Sequence, residues 1–150
     1  MSAKSERTAI PAKFFIKGDA LYVQAQQIWI ILTGFVMMKA CLSFDHKVKQ
    51  KLPDLIFYSE LAQLMGRPGG QNMLSRQLGI VGHYCVLNDI PPLNIIVVNK
   101  DSGLPGDGAV LREGCNVKSE MNAVTDFNWF NVRVPTIGAF RKVYDARNAG

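Results

Sequence analysis

The feature that most limits the fold of this chain is the turn Gly66-Arg67-Pro68-Gly69-Gly70 near its middle. Glycine tolerates positive φ and proline cannot continue a helix, so one element has to end here before another begins. A short apolar helix is predicted before the turn, over residues 60–65, with Ser59 as its N-cap. A longer helix is predicted after it, over residues 72–87, and Pro91-Pro92 marks the stop beyond it.

The segment that follows the second helix has the composition of a β-hairpin. Residues 93–98 read LNIIVV, which is largely β-branched and predicts a strand. Residues 100–103 predict a turn, and residues 109–111 predict the returning strand. Helix, tight turn, longer helix, strand, turn and strand is the order of a winged helix-turn-helix. We therefore predict an α+β fold with a winged helix-turn-helix core, an extra N-terminal arm and a C-terminal helix.

Length and composition favour one folded domain. A chain of 150 residues with 48% hydrophobic and 19% charged residues can bury a core and is not typical of a disordered protein. Within the single domain 1–150 we predict a basic arm at 1–18, the winged-helix core at 19–111 and a C-terminal extension at 112–150. The net charge of +5 permits an anionic partner without requiring one.

The second predicted helix divides into an apolar and a polar line at about 100° per residue. The apolar line, predicted to be buried, consists of Leu74, Leu78, Val81 and Cys85. The polar line on the opposite side consists of Asn72, Arg76, Gly79 and His83. In a DNA major groove, arginine pairs with guanine and asparagine with adenine, while a glycine leaves room for close approach. This face is either solvated surface or a DNA-reading surface, and the adjacent turn and predicted wing favour the second.

Further DNA contacts are predicted around this helix. The remaining residues of the predicted interface are Ser75, Arg67, Lys100 on the wing, and Lys47 and Lys49 in the basic segment 45–51. Residues 1–13 carry Lys4, Arg7 and Lys13, which suit either phosphate contacts or a disordered terminus. The predicted partner is double-stranded DNA.

The central stretch resembles a known family. The residues that carry the resemblance are Tyr58-Ser59-Glu60-Leu61-Ala62, Gly66-Arg67-Pro68-Gly69, Leu78-Gly79, Asn88 and Pro91-Pro92. They are similar to the winged-helix domain of the O6-alkylguanine-DNA alkyltransferases and alkyltransferase-like proteins, over about a third of the chain. After Pro92 the family's Cys-His-Arg run is missing, so the resemblance implies DNA binding without alkyl transfer. It also implies that Arg76 is the arginine that enters the duplex.

A long apolar segment precedes the predicted winged helix. Residues 20–43 predict a helix, and the run 28–44 contains a single charge, Lys39. This run is shorter than the roughly 20 apolar residues of a membrane span, so it predicts a buried central helix and no membrane. Its apolar surplus would also suit a protein partner or a homodimer.

No motif for catalysis, a metal or another cofactor is evident. His83 and Cys85 lie two positions apart on a helix and therefore on different faces. Three cysteines without close spacing indicate no disulfide framework and favour a cytoplasmic protein. The sequence leads to a non-catalytic DNA-binding protein. The alternatives are a repair or base-removal enzyme that docks through the winged helix, and an interaction or inhibitor module that keeps only its shape.

Overall fold

The computed structural model describes residues 10–12, 14–42, 54–106 and 108–149. The α-helices of this part of the chain are α1 (Ala20–Leu42), α2 (Tyr58–Leu64), α3 (Ser75–Leu87), α4 (Val117–Asp126) and α5 (Ile137–Ala149). Two short strands are β1 (Ile56–Phe57) and β2 (Val97–Val98). Four 3₁₀ segments complete the described elements: Lys17–Asp19, Gln71–Met73, Leu93–Ile96 and Trp129–Asn131.

The two strands form a small parallel sheet. Ile56 pairs with Val97 and Phe57 pairs with Val98. Parallel pairing requires a long crossover, and α2 and α3 supply it. The fold is therefore mixed, with helices dominant, in agreement with the α+β prediction at that level.

The predicted hairpin after the second helix is wrong in detail. Leu93–Ile96 is a 3₁₀ segment, and only Val97–Val98 is a strand. Residues 109–111 form no strand, because the chain turns back earlier and makes a single antiparallel bridge from Val98 to Pro105. Residues 93–96 are all buried, so their apolar composition reflects the core rather than a sheet partner.

The first long helix is the centre of the core, as predicted. One face of α1 is buried through Ala25, Ile28, Trp29, Leu32 and Val36. Among the described helices, α1 has the length and apolar composition that could also suit a membrane span. In the folded chain its buried face packs mainly against α3 and α5.

The C-terminal part of the chain packs into the same core. The ring centroid of Trp29 lies 5.7 Å from that of Tyr84 in α3 and 5.6 Å from that of Trp129, and both pairs are edge to face. The ring centroid of Phe140 in α5 lies 5.5 Å from that of Tyr84. Aromatic pairs in this geometry stabilise beyond their buried area. As a result α5 is fixed beside α3, the helix predicted to face DNA.

Candidate nucleic-acid interface

The apolar line predicted for the second helix is confirmed. Leu74, Leu78, Val81 and Cys85 are each at most 2% exposed. The helix itself begins at Ser75, three residues later than predicted, because Gln71–Met73 forms a separate 3₁₀ segment. Asn72 lies in that segment and is exposed.

The start of α3 presents polar side chains to solvent. Ser75 and Arg76 are both exposed. The first turn of α3 contains no acidic residue and no side-chain cap. The positive end of the helix dipole is therefore uncompensated there, which favours an approaching anion.

Gly79 does not lie open as the sequence predicted. A Cβ built on Gly79 would lie 2.9 Å from the Nη1 atom of Arg147 in α5. The arginine thus covers the glycine that was expected to admit a phosphate or a base. The consequence is a different contact surface, in which the guanidinium of Arg147 replaces bare helix backbone between Arg76 and His83.

His83 is a half-buried side chain in this arrangement. Burial, and then the positive charge of Arg147, lower the pKa of His83 below its ordinary value. The imidazole is therefore predominantly neutral near pH 7. It can exchange hydrogen bonds with a ligand, but it does not add a cation to the surface.

The connection between α2 and α3 is longer than a typical helix-turn-helix turn. It spans residues 65–74, where three or four residues are usual. Gly66 and Gly69 have φ values of +76° and +81°, as the glycine-rich sequence predicted. Arg67 lies between them and is exposed.

The segment after β2 turns back toward the start of α3. Asn99 donates its N–H to the Leu104 carbonyl at 2.9 Å, which closes a tight turn around the exposed Lys100. Farther along, the Gly106 N–H donates to the Tyr58 hydroxyl at 3.0 Å. Gly108 then lies against the carbonyl oxygen of Ser75. The returning loop is therefore held beside both α2 and the first residue of α3.

Two predicted contacts cannot be placed on this surface. Lys47 and Lys49 lie outside the described residues, as do residues 1–9 and Lys13 of the basic arm. Among the described residues, Arg147 lies over Gly79 and near His83, while Asn72, Ser75 and Arg76 precede Gly79 along the chain and are exposed. No pattern along the sequence indicates that Arg147 of α5 packs on Gly79, 68 positions earlier.

The described residues bring together no obvious catalytic or metal-binding group. No cluster of three or more His, Cys, Asp or Glu side chains suited to a metal occurs among them. The Cys85 thiol is buried, and burial raises its pKa to about 12, so it is not a nucleophile near neutral pH. The chemistry that these side chains offer is therefore hydrogen bonding and positive charge.

No protein family, curated protein or solved structure matches the chain.

Proposed function

We propose that the protein binds double-stranded DNA through the exposed face of α3, without cutting or modifying it. The observation that carries the proposal is the position of the Arg147 guanidinium over Gly79. It places a second arginine on the helix face that already presents Arg76. Neither arginine has an acidic partner among the described residues. Paired guanidiniums on a helix face suit phosphate and guanine recognition.

Within this proposal each group has a separate task. Arg76 reaches a base edge or the phosphate beside it, and Asn72 and Ser75 add hydrogen bonds near the uncapped start of α3. Arg147 holds a phosphate, because it extends from a neighbouring helix rather than from the groove-facing helix itself. Phosphate contacts fix orientation, whereas base contacts confer sequence preference.

A winged-helix docking mode is the finer form of this proposal. Helices α2 and α3 would be the helix-turn-helix pair, and the turn around Lys100 would be a reduced wing. The long connection 65–74 and the absence of a hairpin at 109–111 are departures from that pattern. The hydrogen bond from Gly106 to Tyr58 supports the arrangement, since it brings the returning loop to the same side as α2.

The test is a fluorescence-anisotropy titration of labelled duplexes with three single variants. Arg76→Ala and Arg147→Ala should each weaken binding roughly ten- to hundredfold, in line with arginine contacts to bases or phosphates. Arg133→Ala is the matched control, because it removes one exposed arginine from a different segment. Its affinity should remain close to that of the wild type.

The variants also separate the two arginine roles. Arg76→Ala should change the ranking of duplex sequences, while Arg147→Ala should weaken all duplexes alike. Unchanged melting temperatures would show that neither effect is a loss of folding. Wild-type affinity in both variants, with the wild type itself binding well, would exclude α3 as the DNA-contacting element.

A further inference from the structure

We propose that the protein forms a two-fold symmetric dimer in which α1 crosses α1 of a second copy in antiparallel orientation at Gly34. The inference is independent of DNA binding. It starts from the fact that α1 is apolar on two opposite sides, while the described chain buries one of them and covers the other only at its margins.

The opposite side is a continuous stripe, which we call the α1 stripe; two of its members, Ile31 and Met37, are partly buried against the core, and the rest face outward. Its members recur at helical spacing and none is charged: Gln27, Ile30, Ile31, Gly34, Met37, Met38 and Cys41. Ile30 is 56% exposed and Met38 is 66% exposed. At 100° per residue the stripe is centred opposite the buried line of Ala25, Ile28, Leu32 and Val36. A contiguous apolar face of this kind marks an interaction surface.

Gly34 lies in the middle of the stripe, although no described contact within a single molecule requires a glycine at that position. A Cβ built there would have no atom within 4 Å, so no described contact requires a glycine. Glycine inside a helix lowers helix stability by about 1 kcal/mol relative to alanine. A crossing helix gives the missing reason, because the absent side chain lets two helix backbones approach closely.

The stripe is also complementary to itself when reversed. Counting from Gly34, Ile30 and Met38 lie four residues to either side, Ile31 and Met37 three, and Gln27 and Cys41 seven. An antiparallel crossing at Gly34 therefore sets Ile30 against Met38 of the second copy. The same patch meets itself, as an isologous two-fold interface requires.

A groove at one end of the stripe receives the methionine from the other end. Its volume is about 200 Å³, and it is lined by Gln27, Ile30, Ile31 and, from α2 and the residue after it, Leu64 and Met65. Leu64 is 62% exposed at its edge. The crossing directs Met38 of the second copy at this groove, and an unbranched methionine adapts well to an irregular apolar gap. Two such insertions occur per dimer, one on each side of the axis.

The mass of the intact protein in solution is the first measurement. Light scattering after size exclusion should give a concentration-dependent species of twice the 16.6 kDa monomer mass. Gly34→Leu should raise the dimer dissociation constant at least about tenfold without lowering the melting temperature of the dilute monomer, since its side chain enters open space. Gly138→Leu, at an exposed helical glycine of α5, is the matched control and should leave the dimer intact.

Cross-linking determines the orientation. Gln27→Cys, combined with Cys115→Ser, should oxidise to a disulfide-linked dimer through the native Cys41 of the second copy. Adding Cys41→Ser should abolish that band. Cys85 is buried and does not compete.

Three results would overturn the proposal. The first is a monomer at all concentrations, and the second is a dimer that tolerates Gly34→Leu or links only Cys41 to Cys41. The third is a wild-type protein that stays monomeric in buffer but floats with neutral phosphatidylcholine vesicles through the α1 stripe. That result would assign the stripe to lipid instead.

Discussion

Glu120 shows how one side chain fixes the C-terminal part of the chain at the residue scale. Its carboxylate is fully buried, and it accepts hydrogen bonds from Arg112 Nη2 at 2.8 Å and from the Arg112 backbone N–H at 3.0 Å. Burial alone would raise the pKa of Glu120, but the hydrogen bonds and charge of Arg112 outweigh it and leave that pKa lowered. The pair holds the turn before α4 against the helix.

We predict that Arg112→Ala lowers the free energy of unfolding by about 3 kcal/mol at pH 7, because it leaves a buried carboxylate without a counter-charge. Urea denaturation measures the change. In the wild type, the contribution of ionised Glu120 to the free energy of unfolding is fully present above its ordinary pKa of 4.5. It is lost as the pH falls through the lowered pKa of the folded state. Adding Glu120→Gln to the variant should recover part of the loss, and equal stability of Arg112→Ala and wild type would contradict this account.

At the candidate interface, the buried line of α3 could be predicted from the sequence, but the contact between Arg147 and Gly79 could not. Leu74, Leu78, Val81 and Cys85 follow from helical spacing, which is a local property. The cover of Gly79 by Arg147 depends on the packing of α5 on α3, and no pattern along either helix encodes that contact. The lowered pKa of His83 is a consequence of the same packing.

At the scale of elements, the 3₁₀ segment Leu93–Ile96 is joined to α3 by a close contact. The side-chain amide of Asn94 lies against Gly82, where a Cβ would overlap Asn94 Oδ1 and lie 2.6 Å from Asn94 Nδ2. Asn94 is 4% exposed, and its Nδ2 donates to the Gly108 carbonyl at 3.3 Å. Gly82 therefore sets the distance between α3 and the segment that leads into β2.

We predict that Gly82→Ala destabilises the protein by about 1–3 kcal/mol, since the methyl group overlaps a buried amide that has little room to move. Thermal unfolding compares it with Gly138→Ala, where the nearest atom to the new Cβ is 3.8 Å away. The control should be neutral or slightly stabilising. Equal melting temperatures for the two variants would show that Asn94 can be displaced without cost.

The strand predicted over residues 93–98 is too long because its partner strand is short. A strand needs a neighbour to pair with, and β1 offers only Ile56 and Phe57. The β-branched residues before Val97 are buried in the core instead. Composition indicated burial correctly but could not indicate the length of the partner strand.

At the scale of the whole molecule, the two proposed surfaces do not compete. The buried face of α1 packs against α3, and the α1 stripe lies on the opposite side of the same helix. A dimer through the stripe would therefore leave the exposed face of α3 available. Dimers of DNA-binding helices commonly read two half-sites related by the same symmetry.

The turn around Lys100 should account for a small part of the salt dependence of DNA binding. Lys100 is exposed, and the neighbouring Asp101 offsets part of its charge, so the turn should contribute weakly. We expect Lys100→Ala to weaken binding modestly and equally on every duplex. It should also reduce the slope of log affinity against log salt by about 0.9, the value for one phosphate. Anisotropy titrations at four salt concentrations measure both quantities.

Two further variants make the result decisive. Lys118→Ala removes an exposed lysine from α4 and should change neither affinity nor slope. Replacing Lys4, Arg7 and Lys13 together with alanine tests the basic arm. If Lys100→Ala has no effect while the arm variant abolishes binding, the turn is structural only. The winged-helix docking mode would then be wrong, although the protein would still bind DNA, because the phosphates would be held by the arm instead.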